Sequence, residues 1–364
     1  MLLDWIEKSP MKLLSIVGTR PQYVKLTAIV NASVKANVHH DWIDTGQHYS
    51  TSLSSELIQE FNLPSPKLNL MIGSGTHGAQ TAKMLEGIEI FLLENAYDMV
   101  LVYGDTNSTL AGALAASKLR IPIAHIEAGL RSGNMEMPEE KNRRMVDHIS
   151  NLLFAPTQLA VDNLKKEGLI SIVHSGDIMY DVLQKTAIDL KNAEEVTSEF
   201  VLATIHRVEN TDSKDRLEKI IRKLEKLPLT VVLPAHPRLL QRLDEFGIKV
   251  DKEKIDLVEP LNHKDLLKAV IRSKCVITDS GGLQKESFML RKICITARHE
   301  TEWPETLEYG WNVLNPFLEN LNEMINRDSP TDQSAYFGDG NAAGVILREI
   351  QAQYGPKFES GAVS

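Results

Sequence analysis

The feature that most constrains the fold is a repeated alternation of short apolar runs with segments of helical periodicity. Residues 13–17 and 99–103 are predicted strands, and predicted helices follow them at 22–34 and 108–119. Strands that alternate with helices assemble into parallel sheets covered by helices on both faces. The alternation restarts after Gly176 with a predicted strand at 200–205. The other predicted strands are 42–45, 121–126, 229–233, 255–258, 275–278 and 293–296, and the other predicted helices are 138–152, 177–191, 213–226, 283–291 and 341–354.

The length of the chain predicts two domains. Its 364 residues exceed the size at which one hydrophobic core usually divides. We therefore predict two doubly wound α/β domains of the Rossmann-like type that face a cleft. The first comprises residues 1–176 and is joined by the C-terminal segment 341–364, and the second comprises residues 177–340.

Polar clusters follow many of the predicted strands at their carboxyl ends. In parallel sheets this edge is where ligands bind, so we expect the clusters to lie along one rim. Each cluster taken alone is also explained by turns and helix caps, which need polar residues. The residues concerned are Gly18, Thr19, Arg20 and Lys25; Gly104 and Asp105; His125 and Glu127; His206 and Arg207; His236; Asp279, Ser280, Gly281 and Gly282; and Arg298, Glu300 and Glu302.

The segment Ser280-Gly281-Gly282 has the features of an anion site. Its glycines allow a close approach of the backbone, and the helix that follows presents free N–H groups and the positive end of its dipole. A diphosphate suits such a site, and Glu286, about one turn into the helix, is positioned to accept hydrogen bonds from ribose hydroxyls. The alternatives are an ordinary glycine-rich turn and a solvated glutamate.

Asp105, Glu127 and Glu139 are candidate acid/base groups. Carboxylates that share a desolvated cleft acquire different pKa values, so one can act as a base and another as an acid. Glu139 has a structural alternative, because a carboxylate is favourable at the start of a helix and can pair with Arg143 four residues later. Glu140 and Arg144 have the same spacing.

Several other classes of protein are disfavoured. The net charge of −9 argues against partners such as nucleic acid or an anionic membrane surface. No apolar run reaches the ~18 residues that span a bilayer, and the first ten residues do not resemble a signal peptide. The two cysteines, Cys275 and Cys294, lie in apolar runs, which indicates buried reduced thiols and a cytoplasmic protein.

Cofactors are not expected either. His125 and Glu127 face one way on a strand, which makes a metal site conceivable, but no third ligand is spaced to complete it. No GxGxxG follows the first strand, which disfavours a nicotinamide dinucleotide. We therefore predict neither a metal nor a redox cofactor.

Taken together and in order, these motifs resemble the non-hydrolysing UDP-N-acetylglucosamine 2-epimerases over nearly the whole chain. The matching segments are Gly18-Thr19-Arg20-Pro21, Gly104-Asp105-Thr106, residues 125–131, Pro138-Glu139-Glu140, His206-Arg207, His236-Pro237 and residues 279–286.

The resemblance implies a glycosyltransferase-B-like architecture with UDP held between the domains. The implied reaction is removal of the C2 proton with loss of UDP, which gives a 2-acetamidoglucal, followed by addition of UDP and a proton on the other face. It further implies that Asp105, Glu127 and Glu139 are catalytic, and that His206 acts beside the diphosphate. The UDP-binding residues that it implies are Arg20, Lys25, His236, Ser280, Gly281, Gly282, Glu286 and Arg298.

Some residues depart from the commonest family pattern. Gln22 stands where that pattern has Glu, and Trp303 ends a run, 299–303, where many members have Arg. These residues resemble the branch that acts on UDP-2,3-diacetamido-glucuronate sugars, so the exact sugar stays open between the two substrates. Residues 73–78 resemble members that need no second UDP-sugar as activator.

The same motifs are compatible with three further activities. These are a hydrolysing epimerase, a glycosyltransferase of the same fold and a non-catalytic nucleotide-sugar sensor. The set Asp105, Glu127 and Glu139 argues against the last two, since neither needs three acid/base carboxylates. A homodimer is expected from the family.

Overall fold

The structure is a computed structural model that describes residues 10–47, 58–191 and 199–355. The chain divides into two compact units. The first extends to Val182 and includes the segment from Tyr336 onward, and the second is Leu183–Ala335. Among the described residues, no helix is both long enough and apolar enough to cross a lipid bilayer.

The first unit contains a seven-stranded parallel sheet in the order β3-β2-β1-β4-β5-β6-β7. The central strand β4 is the apolar run Met-Val-Leu-Val-Tyr and is buried throughout, as expected for a parallel strand covered on both faces. The strands are β1 Lys12–Val17, β2 His39–Asp44, β3 Leu68–Asn69, β4 Met99–Tyr103, β5 Ile123–Ile126, β6 Leu152–Ala155 and β7 Ile172–His174. The helices are α1 Arg20–Lys35, α2 His77–Glu94, α3 Asn107–Lys118, α4 Pro138–Ile149 and α5 Gln158–Lys166, together with α13 Ala342–Tyr354. Helix α6, Ile178–Lys191, begins in the first unit and continues into the second.

Alternate residues of β1 enter the cores on the two faces of this sheet. Leu13 and Val17 pack into one hydrophobic cluster, and Leu14 and Ile16 into the other. The last helix, α13, contributes Ile346 to the first of these clusters. Its amino end is capped by Asp181, whose carboxylate accepts hydrogen bonds from the backbone N–H groups of residues 342 and 343 at 2.9 and 2.8 Å.

The second unit contains a six-stranded parallel sheet in the order β10-β9-β8-β11-β12-β13. Both sheets are parallel and alternate with helices, so the predicted α/β class is confirmed. The strands are β8 Phe200–Thr204, β9 Thr230–Pro234, β10 Ile255–Val258, β11 Cys275–Thr278, β12 Cys294–Thr296 and β13 Asn312–Leu314. The helices are α7 Val208–Thr211, α8 Lys214–Glu225, α9 Pro237–Glu245, α10 His263–Arg272, α11 Gly281–Met289 and α12 Leu321–Asn326.

One predicted helix is too long. The helix predicted over 138–152 ends at Ile149, because Ser150 adopts an extended backbone conformation and Leu152 begins β6. The side chain of Asn151 then accepts a hydrogen bond from the backbone N–H of Ile123 at 2.9 Å, which ties this turn to the start of β5. The elements α2, α5, α7, α12, β3, β6, β7 and β13 are not predicted from the sequence, and α9 and α10 are expected only as helices between predicted strands.

The two cysteines are buried free thiols in adjacent strands, as predicted. Burial raises the pKa of both Cys275 and Cys294 to about 12. At neutral pH both sulfurs are therefore protonated and unreactive.

Candidate active site

The first group of predicted residues follows β1, β4 and β5, which are adjacent in the sheet and end at the same edge. Gly18 comes directly after β1, and a Cβ at this position would collide with the hydroxyl groups of Thr45 and Ser108. Those two hydroxyls are hydrogen-bonded to each other at 2.7 Å. The glycine therefore lets the turn after β1 lie directly against its neighbours.

Gln22 joins the turn after β1 to the turn after β4. Its Oε1 accepts hydrogen bonds from the backbone N–H groups of Gly18 and Thr19 at 2.9 and 3.2 Å. Its Nε2 donates to the carbonyl of Tyr103 at 2.8 Å and to the hydroxyl of Thr106 at 3.0 Å. Because a carbonyl only accepts, this arrangement suits an amide and not a carboxylate. The departure from the commonest family pattern at residue 22 thus has a local structural role.

Lys25 and Glu127 form a buried ion pair through Nζ and Oε2. Gly104, which follows β4, lies beside the pair, and a Cβ there would be 3.4 Å from both charged atoms. Glu127 itself has a φ of +71°, in the left-handed region, at a cost of about 1–3 kcal/mol for a residue other than glycine. Such strain persists where the surroundings hold it, and strained residues cluster at functional sites.

A buried His–Asp pair lies beneath this turn. The Nδ1 atom of His125 is 2.7 Å from Oδ1 of Asp147, and its Nε2 donates to the carbonyl of Gly104 at 2.8 Å. Burial disfavours the Asp147 carboxylate, but His125 and Arg131 outweigh burial and lower its pKa. Arg131 also forms a bidentate pair with Glu167, with both distances 2.8 Å. The cluster fixes the chain around Gly104, which directly precedes Asp105.

Asp105 is held by a side chain from α4. Its Oδ2 is 2.5 Å from Nη2 of Arg143, and its carbonyl accepts a hydrogen bond from Asn142 at 2.9 Å. Arg143 also contacts Glu140 at 3.0 Å. Burial disfavours the Glu140 carboxylate, but hydrogen bonds from Ser132 and Arg143 lower its pKa.

Glu139 lines a pocket together with Asp105. The pocket has a volume of about 290 Å³ and lies wholly within the first unit. The alternative pairing of Glu139 with Arg143 is wrong, because Arg143 contacts Asp105 and Glu140 instead. The pocket is also lined by Gln47, Ser74, Gly75, His77, Gln80, Thr106, Asn107, Pro138 and Asn142.

Arg20 begins α1 at the same edge of the sheet. Its side chain is partly exposed, and Nη2 lies 3.8 Å from Oε1 of Glu60. The edge therefore carries Arg20 near the surface, Lys25 and Glu127 as a buried pair, and Asp105 with Glu139 at the pocket. An arrangement of two carboxylates at one pocket can both remove and deliver a proton.

In the second unit, Asp279 organises the turn after β8. This buried carboxylate accepts hydrogen bonds from the backbone N–H groups of His206 and Arg207, at 3.1 and 3.0 Å, and from Asn210 at 3.0 Å. It also lies 3.2 Å from Nδ1 of His206. The imidazole is thus oriented by a carboxylate while its other side stays accessible.

Ser280 caps α11, since its Oγ accepts a hydrogen bond from the backbone N–H of Leu283 at 3.4 Å. The next two residues differ in their surroundings. A Cβ at Gly281 would collide with Glu302, whereas a Cβ at Gly282 would have only Ser280 Oγ nearby, at 3.9 Å. Gly282 therefore leaves open space at the amino end of the helix, as an anion site requires.

Glu286 is buried on α11 and contacts a residue that sequence reasoning missed. Its Oε1 is 2.9 Å from Nε2 of His263, the first residue of α10. The signal available in the sequence was weak, because His263 follows an ordinary helix cap, Asn262. Asp147 was also missed, because it lies within a regular helix and nothing in the local sequence distinguishes it.

Arg298 and Trp303 lie in the segment that follows β12. Nη1 of Arg298 is 2.9 Å from Oε2 of Glu302, and both side chains are largely buried. Trp303 is also buried, and the ammonium group of Lys285 lies 4.0 Å from the centre of its ring. The ring of Trp303 is therefore packed beneath the loop that carries it.

His236 is the N-cap of α9, where its Nδ1 accepts a hydrogen bond from the backbone N–H of Arg238 at 3.3 Å. Its ring lies 6.4 Å from that of His206. Partial burial lowers the pKa of His236, and electrostatic interactions with His206 and Arg238 lower it further. Within residues 10–47, 58–191 and 199–355, no group of three or more His, Cys, Asp or Glu side chains is arranged to hold a metal ion.

Comparison with known proteins places the chain among epimerases of nucleotide sugars. A sequence model of the family described as UDP-N-acetylglucosamine 2-epimerase matches residues 31–351. The chain is 42% identical over 356 residues to a protein of Methanococcus maripaludis named UDP-N-acetylglucosamine 2-epimerase homolog, and the match covers 94% of this chain and 99% of that protein. It is 41% identical over 355 residues to the UDP-2,3-diacetamido-2,3-dideoxy-D-glucuronate 2-epimerase of Pseudomonas aeruginosa, covering 93% and 99%.

A solved structure gives the same result. The crystal structure of the UDP-GlcNAc 2-epimerase of Methanocaldococcus jannaschii in complex with UDP-GlcNAc and UDP superimposes with a TM-score of 0.86. The two proteins are 41% identical, and the match covers 94% of this chain and 100% of that one.

Proposed function

The chain belongs to the UDP-N-acetylglucosamine 2-epimerase family and is an isomerase, and we propose that it interconverts UDP-N-acetylglucosamine and UDP-N-acetylmannosamine without hydrolysing them. The observation that carries the proposal is the pocket of the first unit, which presents the carboxyl groups of Asp105 and Glu139 together. Inversion at C2 needs a base for one face of the sugar and an acid for the other.

The proposed reaction balances without an oxidant or a reductant. A carboxylate removes the C2 proton, the electrons of that bond form the C1=C2 double bond, and the bond from C1 to the diphosphate oxygen breaks. UDP leaves with the electron pair of the broken C1–O bond, and the sugar becomes a 2-acetamidoglucal. In the return step the diphosphate oxygen adds to C1 and C2 receives a proton on the opposite face.

We assign the proton transfers to Asp105, Glu127 and Glu139. Arg143 pairs with Asp105, and Lys25 pairs with Glu127, so each of these carboxyl groups is held in place by a basic side chain. Glu139 completes the set as the second carboxyl group at the pocket.

We assign UDP binding to the second unit, together with Arg20 and Lys25 of the first. In the second unit the diphosphate is assigned to the amino end of α11, at Ser280, Gly281 and Gly282, with His206, His236 and Arg298 as neighbouring polar groups. Glu286 accepts hydrogen bonds from the ribose. The open space beside Gly282 and the capping of α11 by Ser280 support this assignment.

The decisive experiment is proton NMR of the purified protein with UDP-GlcNAc in D2O. Deuterium at C2 in both epimers, with no accumulation of free UDP, is the expected result. Free UDP with N-acetylmannosamine would identify a hydrolysing epimerase. Unlabelled substrate, with transfer of the sugar to an added acceptor, would identify a glycosyltransferase.

A second candidate substrate is UDP-2,3-diacetamido-2,3-dideoxy-glucuronate. The Pseudomonas aeruginosa enzyme named for that sugar is 41% identical, which is the specific reason to keep it. Both sugars are therefore to be assayed, and the larger kcat/KM identifies the substrate. We also propose that the protein acts in the cytoplasm as a homodimer, and sedimentation of the purified protein tests the oligomeric state.

A further inference from the structure

The absence of a side chain at Gly281 is explained by a residue later in the chain, Glu302. It is the first residue of α11, and its backbone is not in the left-handed region, so the turn does not require glycine. A Cβ on Gly281 would instead collide with Oε1 of Glu302, in the segment after β12. The missing side chain makes room for the Glu302 carboxylate.

Glu302 stands between two arginines of the second unit. Its Oε2 is 2.9 Å from Nη1 of Arg298, and its Oε1 is 3.9 Å from Nη2 of Arg207. Arg298 and Glu302 are each only 9% exposed, so the pair is poorly screened by solvent. The residue thus has charged partners on one side and the start of α11 on the other.

Without a negative charge, this arrangement is unfavourable. Two guanidinium groups and the positive end of a helix dipole would repel one another in a largely buried place. The Glu302 carboxylate removes that repulsion and keeps both arginines beside the amino end of α11. This is the place that we have assigned to the diphosphate.

We infer that Glu302 is a positioning residue for the diphosphate of UDP, and that Gly281 is required so that Glu302 can reach its place. The inference rests on the proposed function, because it takes UDP as the ligand. Glu302 does not touch the reacting atoms in this scheme. It acts through Arg298 and Arg207, which it aligns for the phosphate oxygens.

The test is a double-mutant cycle on UDP affinity, measured by calorimetry on the full chain. Gly281→Ala and Glu302→Ala are each expected to weaken UDP binding by about tenfold, the first because its methyl group displaces the carboxylate. The double variant is expected to be no weaker than either single variant, because both changes remove the same contact. Losses that multiply to about a hundredfold would overturn the inference, since the effects of Gly281 and Glu302 on UDP binding would then be independent.

Two further measurements separate positioning from a general loss of structure. Glu302→Gln, which keeps the shape of the side chain, is expected to weaken UDP binding by about tenfold. Its affinity for uridine, which has no diphosphate, is expected to stay unchanged. If the affinity for uridine falls as much as the affinity for UDP, the binding site itself is disturbed, and the inference is overturned. Tighter binding of UDP by Glu302→Gln would also overturn it, because Glu302 would then compete with the diphosphate.

A control and the wild type complete the design. Glu319→Gln changes an exposed carboxylate of the same unit that pairs with Lys223, and it is expected to leave UDP affinity unchanged. If the wild type binds no UDP and exchanges no C2 proton, the proposed function fails. If the wild type binds UDP and exchanges the C2 proton, but the losses in the double-mutant cycle multiply, only the inferred role of Glu302 fails.

Discussion

His125 and Asp147 are fully buried and lie 2.7 Å apart through Nδ1 and Oδ1. They belong to different elements, β5 and α4, so the pair ties a helix to a strand directly below the turn that carries Asp105. Because His125 and Arg131 together lower the pKa of Asp147 despite its burial, the charge of Asp147 stabilises the folded state.

The first prediction concerns acid stability. A carboxyl group whose folded pKa lies below its ordinary value of 3.8 stabilises the protein above that pH, and this stabilisation is lost as the pH falls through the folded pKa. Asp147→Asn is expected to lower the free energy of unfolding at pH 7 by about 3–5 kcal/mol and to flatten its decline below about pH 4. Urea titrations at several pH values measure both effects. Asp162→Asn, on α5, is the control and should resemble the wild type; an unchanged slope in Asp147→Asn would contradict the prediction.

The second prediction concerns the pocket carboxylates. Asp105→Asn and Glu139→Gln are each expected to lower kcat by about 10²-fold or more, with folding intact, since acid/base groups contribute on this scale. Glu136→Gln, an exposed residue in the loop before α4, is the matched control. Interconversion of the two epimers and deuterium exchange at C2 provide the rates, and wild-type rates in both pocket variants would exclude the mechanism.

Glu127 needs a different design because it shares its charge with Lys25. Glu127→Gln leaves the Lys25 ammonium buried without its counter-ion, so a loss of both stability and activity is expected. Changing both residues to glutamine removes both charges and should recover much of the stability while the activity stays low. Recovery of activity along with stability would show that Glu127 is structural only.

The third prediction concerns UDP affinity. Ser280→Ala and Glu286→Ala are each expected to weaken UDP binding. For Glu286→Ala the expected loss is about 1.5–3 kcal/mol, because a hydrogen bond to a charged group is removed. His263→Gln should produce part of the Glu286 effect, because His263 holds that carboxylate at 2.9 Å. Calorimetry measures the affinities, and unchanged values in both Ser280→Ala and Glu286→Ala would refute the placement of UDP.

The fourth prediction concerns Trp303 and Lys285. Trp303→Arg is expected to lower the Tm, because it replaces a ring that holds the Lys285 ammonium with a second positive charge in a buried place. Adding Lys285→Glu should restore much of the loss, since an Arg–Glu pair then replaces two like charges. Thermal unfolding of the two variants is the measurement, and a Tm that falls further in the double variant would disprove the pairing.

The fifth prediction is that exhaustive EDTA treatment leaves the activity unchanged. The proposed proton transfers use carboxyl groups, and the proposed leaving group is stabilised by basic side chains and a helix amino end. Loss of activity on chelation, with recovery on addition of zinc or magnesium, would contradict this.

The sequence alone determined the α/β class and the edge at which the polar residues collect. Both follow from local rules: a short apolar run such as β4 that alternates with helical segments indicates a strand buried on two faces, and parallel strands all present their carboxyl ends at one edge. For the same reason Asp105 and Glu127, which follow the adjacent strands β4 and β5, could be expected at one edge without knowing any side-chain contact. The end of α4 at Ile149 could not, because the apolar residues of β6 continue the helical pattern without an obvious break.

Tertiary structure decided the ionic partners. Spacing along a helix allowed Arg143 to pair with Glu139. Because α4 packs against the turn after β4, Arg143 pairs instead with Asp105, and Glu139 lines the pocket. Likewise, nothing near Gly281 in the chain indicated that its missing side chain accommodates Glu302. Charged side chains choose partners by position in space, and that position depends on how whole elements pack, which local periodicity does not encode.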